Sequence, residues 1–274
     1  MFNWKYYNVR LQRESICFLK KVYSILLPFR GKPKTLLVVG AQRSGTNLLM
    51  DVLERSFQTD VFHERDNRAF LNYLMRPVPE INELKSKSNF EFFVIKGLCE
   101  SHRTDQLLEQ FSPAKVIWVI RDFNDVVNSM DISFKETQDI MINVAKDRSA
   151  GGWRTEDMSD ETYSLIKAHV HDNISNKSAS ALQWYIRNIV YFEKNFTANK
   201  DIKLLNYNKL VVNPKKVVNS IYDFTGIPAN QIMHSIINSN SIKKNREPAI
   251  DEGIREMCDE LWDRFIKLPD NLKL

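Results

Sequence analysis

The sequence predicts an α/β fold: three layers around a central parallel sheet, with a P-loop-like strand–loop–helix near its start. Three observations carry this. Short, continuously apolar runs at 35–40, 92–96, 115–120 and 203–206 are rich in Leu, Val and Ile, as strands buried on both faces are. Segments of helical apolar spacing separate them, and that alternation implies right-handed crossovers and a parallel sheet. Two of only eight glycines, Gly40 and Gly45, fall in the loop after the first run, where the backbone must approach something closely.

The elements follow in order. Residues 15–29 carry Ile16, Leu19, Val22, Tyr23 and Leu26 at helical spacing, and Pro28 closes the pattern. Such a stripe usually faces a core. Lys20 and Lys21 exclude a membrane span but suit an anionic membrane surface. After the breaker Gly31-Lys32-Pro33 come the first strand, the loop 41–47 and a helix over 48–57. Further helices are expected at 105–111, 125–130, 179–196, 214–224 and 252–265. Residues 131–177 stand apart, polar and without a strong apolar period, and contain Gly151-Gly152. A long segment of that kind reads as a lid or binding segment.

At 274 residues the chain suits one decorated core. The net charge of +5 is unevenly spread. Residues 1–34 hold eight cations (Lys5, Arg10, Arg13, Lys20, Lys21, Arg30, Lys32, Lys34) against Glu14, a net +7, which leaves −2 for the rest. A basic extension over 1–34 on a nearly neutral domain over 35–274 excludes a nucleic-acid-binding core. Peripheral membrane contact through residues 1–30 is the partner it suits. Cys17, Cys99 and Cys258 are far apart and form no CxxC. A reducing cytoplasm is therefore expected, with the inner membrane surface as a peripheral location. The start lacks the apolar stretch of a secretory signal. His63, His102, His169, His171 and His234 form no ligand set, and no metal is expected.

The loop from Gly40 to Asn47 (GAQRSGTN) has the G-x4-G spacing of a phosphate loop, but Thr46 and Asn47 stand where Lys and the Mg²⁺-binding hydroxyl belong. Without those two the loop is poorly equipped for a nucleoside triphosphate. Arg43 instead places a cation beside the cradle, which suits a shorter anhydride with a good leaving group. Residues 115–121 (KVIWVIR) form a strand pattern ending in Arg121, at the end where open parallel sheets bind ligands. Ser129 follows eight residues later, in the next helix, and the two side chains can converge on one phosphate.

Residues 40–49, GAQRSGTNLL, resemble the 5′-phosphosulfate loop of the sulfotransferase superfamily, usually P-[KR]-S-G-T-T. Gln42 replaces the proline and Asn47 the second threonine. The stretch 115–130 is similar to the superfamily's 3′-phosphate site, whose arginine and serine map onto Arg121 and Ser129. Residues 204–214 and 222–228 resemble its YEDL…dP…FLGIP region, with Asn208 and Lys209 in place of the acidic pair. The likeness spans about Leu36 to Phe265.

The resemblance implies an enzyme that moves the sulfuryl group of 3′-phosphoadenosine-5′-phosphosulfate (PAPS), its co-substrate, to an acceptor hydroxyl without a metal. Arg43, Ser44, Gly45, Thr46 and Asn47 would hold the 5′ end, and Arg121 and Ser129 the 3′-phosphate. Tyr207 would lie near the adenosine, and Lys244 and Arg246 on a loop closing over the nucleotide. Arg43, Lys96 and loop amides would meet leaving-group charge. Glu64, Glu100 and His102 are candidate bases. The histidine of small-molecule members has no counterpart, because Leu98 occupies its place. Glycan and tyrosine members carry a glutamate some way after the loop, and Glu64 stands 21 residues after Arg43. The segment 131–177 and the helix with Trp184 and Arg187 are the expected acceptor sites. A glycan or lipid-linked saccharide is the first expectation for the acceptor, a protein tyrosine or small phenol the second. An ATP-dependent phosphotransferase and a non-catalytic membrane-associated nucleotide-binding protein are the competing readings.

Overall fold

The structure, a computed structural model, describes residues 4–228, 236–237 and 247–268. Helix α1 (Trp4–Leu26) precedes β1 (Lys34–Gly40), which turns into α2 (Thr46–Glu54). Strand β2 (Thr59–Phe62), the hairpin of β3 (Phe70–Leu71) and β4 (Leu74–Met75), and α3 (Val78–Ser86) lead to β5 (Phe92–Lys96). Next come α4 (Thr104–Gln110), β6 (Ala114–Ile120), α5 (Phe123–Ser133), α6 (Thr137–Lys146), α7 (Asp160–His169) and α8 (Asn176–Glu193). Then follow β7 (Ile202–Asn206), α9 (Tyr207–Val212), α10 (Pro214–Thr225) and α11 (Glu252–Lys267).

The main sheet is parallel throughout, in the order β2-β5-β1-β6-β7. Its strands alternate between two cores, which is why they read as unbroken apolar runs. Leu37, Val39, Ile95, Trp118 and Ile120 face a core built mainly with α5, α8 and α11. Leu36, Val38, Val94, Ile117 and Val119 face one built with α2, α9 and α10. Two helical layers on one sheet confirm the expected three-layer α/β class.

Two expectations change. The segment 131–177 is not an irregular lid: α6 and α7 bury Met141, Val144 and Ile166 in the larger core, and α6 packs on α8. Each has only a few apolar positions, too few to reveal a period. Helix α1 does pack on the body, with Tyr23 of the apolar stripe 5.5 Å from the Phe57 ring, but mainly through its polar face. Arg13, Cys17, Lys20 and Ser24 share one stripe, with Lys20 and Ser24 buried. Lys20 donates to the Glu54 carbonyl at 2.7 Å and lies 5.6 Å over the Phe90 ring. The apolar residues Phe18, Leu19, Val22, Ile25 and Leu26 are exposed.

Candidate active site

The strands deliver their C-terminal ends to one cavity of about 690 Å³. At its floor β1 enters the turn to α2 through two glycines whose conformations exclude a side chain. Gly40 has φ +138°, and a Cβ there would overlap the Val119 carbonyl. Gly45 has φ +97°, and its Cβ would overlap the Tyr207 ring. Gly45 also starts α2 without a side-chain cap, so the first helix amides point into the turn and make an anion cradle. Arg43 between them adopts φ +63°, a left-handed conformation that costs energy in a residue with a Cβ.

Each departure in this loop has a partner. Gln42 accepts a hydrogen bond from Gln183 of α8, tying the turn to the helix. Asn47 accepts one from Lys96 at 2.7 Å. Ser44 is fully buried, and among the described residues its hydroxyl has no hydrogen-bond partner. Thr46, also buried, opens α2.

On the β6 side, Arg121 leaves the strand end and α5 begins, capped by Asp122. The Arg121 guanidinium lies 4.6 Å over the Tyr207 ring and 3.4 Å from Asp125. It also donates to the Arg43 carbonyl at 3.3 Å. Arg43 Nε donates to Ser129 Oγ at 2.8 Å. Arg43, Arg121 and Ser129 therefore meet at one corner, closer together than opposite ends of a ligand would suggest.

On the β5 side, Lys96 is 2% exposed and pairs with Glu64 at 2.7 Å. Burial pulls the Lys96 pKa below its ordinary value, and the Glu64 charge opposes that. Glu64 follows β2 and lines the cavity beside Arg65, Leu98 and Cys99. The wall is completed by Asn72 and Tyr73 of the β3–β4 turn and by Trp153 and Arg154.

The sulfotransferase domain profile matches residues 33–256 of the chain. The chain belongs to the sulfotransferase family. No curated protein matches it in sequence. Among solved structures it is similar to the sulfotransferase domain of the Synechococcus PCC 7002 olefin synthase. The identity is 15%, with 89% of this chain and 98% of that one covered and a TM-score of 0.57. It is also similar to sulfotransferase STF9 from Mycobacterium avium, at 14% identity, 95% and 83% coverage and a TM-score of 0.50. At these identities the likeness is one of fold.

In this sulfotransferase the cavity gathers Arg43, Gly45, Thr46, Asn47, Glu64, Lys96, Arg121, Ser129 and Tyr207. Ser44, in the same turn, is fully buried and does not line the cavity. Lys244 and Arg246 are outside the described residues. His102 is corrected: it lies on a buried 3₁₀ turn and does not line the cavity. Burial, reinforced by the Arg187 charge, holds its pKa down to about 4, and its Nε2 is 3.4 Å from Glu156. Glu100 is buried too, accepting from the Met75 amide at 2.7 Å and so pinning the hairpin.

Trp184 and Arg187, expected at the acceptor, are buried supports. Trp184 Nε1 donates to the Arg121 carbonyl at 3.1 Å. Arg187 donates to the carbonyls of Trp153 at 2.8 Å, Leu98 at 3.0 Å and Cys99 at 3.1 Å.

Sequence reasoning overlooked Arg65, Tyr73, Phe134, Trp153 and Arg154, which topology alone brings together. The only signal was their place in a charged turn or in the polar segment 131–177. It also overlooked the approach of Asp51, Glu54 and His63, whose ligand-type atoms lie within 4.8 Å of one another. The positive charge in that cluster is Arg13's, 2.6 Å from Glu54 and 3.2 Å from His63 Nε2. Burial raises the Glu54 pKa, but the hydrogen bonds from His63 and Arg13 outweigh it and hold the group at about 2.

Proposed function

We propose that this sulfotransferase takes its sulfuryl group from PAPS and delivers it to a hydroxyl of a glycan or lipid-linked saccharide. The observation that carries this is the cradle at residues 40–47. It combines an uncapped helix N-terminus with a buried Ser44 hydroxyl that has no hydrogen-bond partner among the described residues, and such a hydroxyl is satisfied by an anionic oxygen. Arg43, Arg121 and Ser129 converge beside it.

In this reading residues 43–47 hold the 5′-phosphosulfate, Arg121 and Ser129 the 3′-phosphate, and Tyr207 borders the adenosine. The acceptor oxygen attacks sulfur in line with the bond to the 5′-phosphate. That S–O bond breaks, and its electron pair leaves on the phosphate oxygen, where Arg43, Lys96 and loop amides meet the charge. Glu64 takes the acceptor proton. Residues 1–34 act as an appended helix on a transferase domain of 35–274.

Incubation with radiolabelled PAPS and a saccharide acceptor is expected to move the label to saccharide in excess EDTA. Loss of transfer with chelator, restored by Mg²⁺, would favour an ATP-type phosphotransferase instead.

We further infer peripheral attachment to an anionic membrane through α1. Among the described residues no helix is long and apolar enough to cross a membrane. The outward face of α1 nevertheless carries Phe18, Leu19, Val22, Ile25 and Leu26, with exposed Lys21, Arg30 and Lys32 nearby. Apolar side chains flanked by cations suit the interface of anionic lipids. The full chain is expected to float with phosphatidylserine-containing vesicles, and the Ile25→Ser/Leu26→Ser variant to stay behind. Both side chains are 72% exposed, so the variant keeps the fold. Equal flotation would return α1 to a purely structural role.

A further inference from the structure

We propose that the acceptor carries an anionic group, which Arg65 and Arg154 hold at the β2–β5 end of the cavity beside Glu64. The proposal rests on the donor reading above and deepens it by naming the class of acceptor.

The sheet order divides the cavity. Its β1, β6 and β7 ends carry the cradle, Arg121 and Tyr207, which the nucleotide would occupy. Its β5 and β2 ends carry Lys96 and Glu64, so the acceptor hydroxyl must enter from that side. The lining is strongly cationic: Arg43, Arg65, Lys96, Arg121 and Arg154 face a single acid, Glu64. Three of those cations are engaged, Arg43 with Ser129, Arg121 with Asp125, and Lys96 with Glu64.

Arg65 and Arg154 differ. Among the described residues neither has a carboxylate within ion-pair distance or a hydrogen bond from its guanidinium. The Nε of Arg154 is buried and unsatisfied, and desolvation lowers its pKa. A partly desolvated guanidinium without an acceptor is costly, and its planar fork matches a carboxylate, phosphate or sulfate bidentately.

The surroundings suit a saccharide bearing that group. Arg154 stacks 4.6 Å over the Trp153 ring, and Arg187 lies 5.0 Å from the same ring. The bonds of Arg187 to the Trp153, Leu98 and Cys99 carbonyls fix residues 153–154 against the segment that follows β5. In the same lining, Asn72 and Tyr73 form a two-residue hairpin turn with φ +49° and +67°. Tyrosine is a strained choice there, where Asn or Gly is usual. Glu100 holds the hairpin by the Met75 amide, and Tyr73 stays 53% exposed at the cavity wall. Two aromatic side chains and two arginines in the lining of one cavity suit a sugar ring with an acidic substituent.

The test is calorimetry on the full chain saturated with 3′,5′-ADP. The probes are a neutral glucan oligosaccharide and the same oligosaccharide bearing a uronate, a 6-phosphate or a 6-sulfate. At least one anionic form is expected to bind about ten- to a hundredfold tighter than the neutral one, and the three arms identify the anion. Arg65→Gln/Arg154→Gln should erase the preference while 3′,5′-ADP affinity stays unchanged. Arg65→Gln alone, at an exposed position, should weaken it without risk to folding. Equal binding of neutral and anionic forms, no binding of any anionic form, or a preference that survives the double variant overturns the proposal. Failure of the unaltered protein to bind 3′,5′-ADP would overturn the donor reading beneath it.

Discussion

Replacing Glu64 by glutamine is expected to lower kcat for sulfate transfer about 10²–10⁴-fold, with the affinity for 3′,5′-ADP nearly unchanged. Glutamine keeps the side chain's shape and an oxygen for Lys96 but cannot accept the acceptor proton. Nucleotide binding is spared because Glu64 stands at the β2 end of the cavity, across β5 from the cradle. Stopped-flow or steady-state transfer assays, paired with calorimetry, separate the two effects. A fully active Glu64→Gln enzyme together with a dead His102→Ala enzyme would move the base to His102. The geometry opposes that outcome, since His102 is buried, does not line the cavity, and has its pKa held down to about 4.

Arg121→Ala is expected to weaken 3′,5′-ADP by about 2–5 kcal/mol, the usual cost of truncating one partner of a partly buried charge pair. Discrimination against AMP, which lacks the 3′-phosphate, should vanish in the same variant. The loss has three sources. The guanidinium no longer meets the phosphate, and Asp125, 3.4 Å from it in the unaltered protein, is left facing an anion. Tyr207 also loses the cation stacked 4.6 Å over its ring, so the adenosine wall loosens. Unchanged affinity in Arg121→Ala, with an unchanged melting temperature, would put the 3′-phosphate elsewhere.

Much of the fold was legible because this sheet is buried on both faces. Strands such as Leu36 to Val39 must then be apolar at every position, and such runs stand out without any alignment. The cradle was legible for a related reason: an anion site at a strand–helix junction needs Gly40 and Gly45 at fixed spacing, and the chain has few other glycines. Arg121 could be placed because a charged residue ending an apolar strand has only the sheet's C-terminal edge to occupy. The shorter β2 and the β3–β4 hairpin escaped notice because Asp60 and Asn72 interrupt their apolar pattern. Helices α6 and α7 did so because a short helix buries too few side chains to display a period.

The sequence by itself determined the family, the parallel sheet and the glycine turn that carries Arg43, since these depend on local spacing and on burial that local composition reveals; that Ser129 accepts a hydrogen bond from Arg43 came only from the tertiary structure. Only the tertiary structure decided which face of α1 meets the body. Periodicity identifies two faces, but whether Lys20 or Leu19 turns inward depends on Glu54 and Thr59, distant in the chain. It likewise decided that His102 is buried off the cavity and that Trp184 and Arg187 are buried supports, while Arg65, Tyr73, Trp153 and Arg154 line the cavity. A polar side chain reads the same in sequence whether it meets buried carbonyls or substrate. The difference lies in what the fold brings within about 3 Å of it, and no spacing along the chain encodes that.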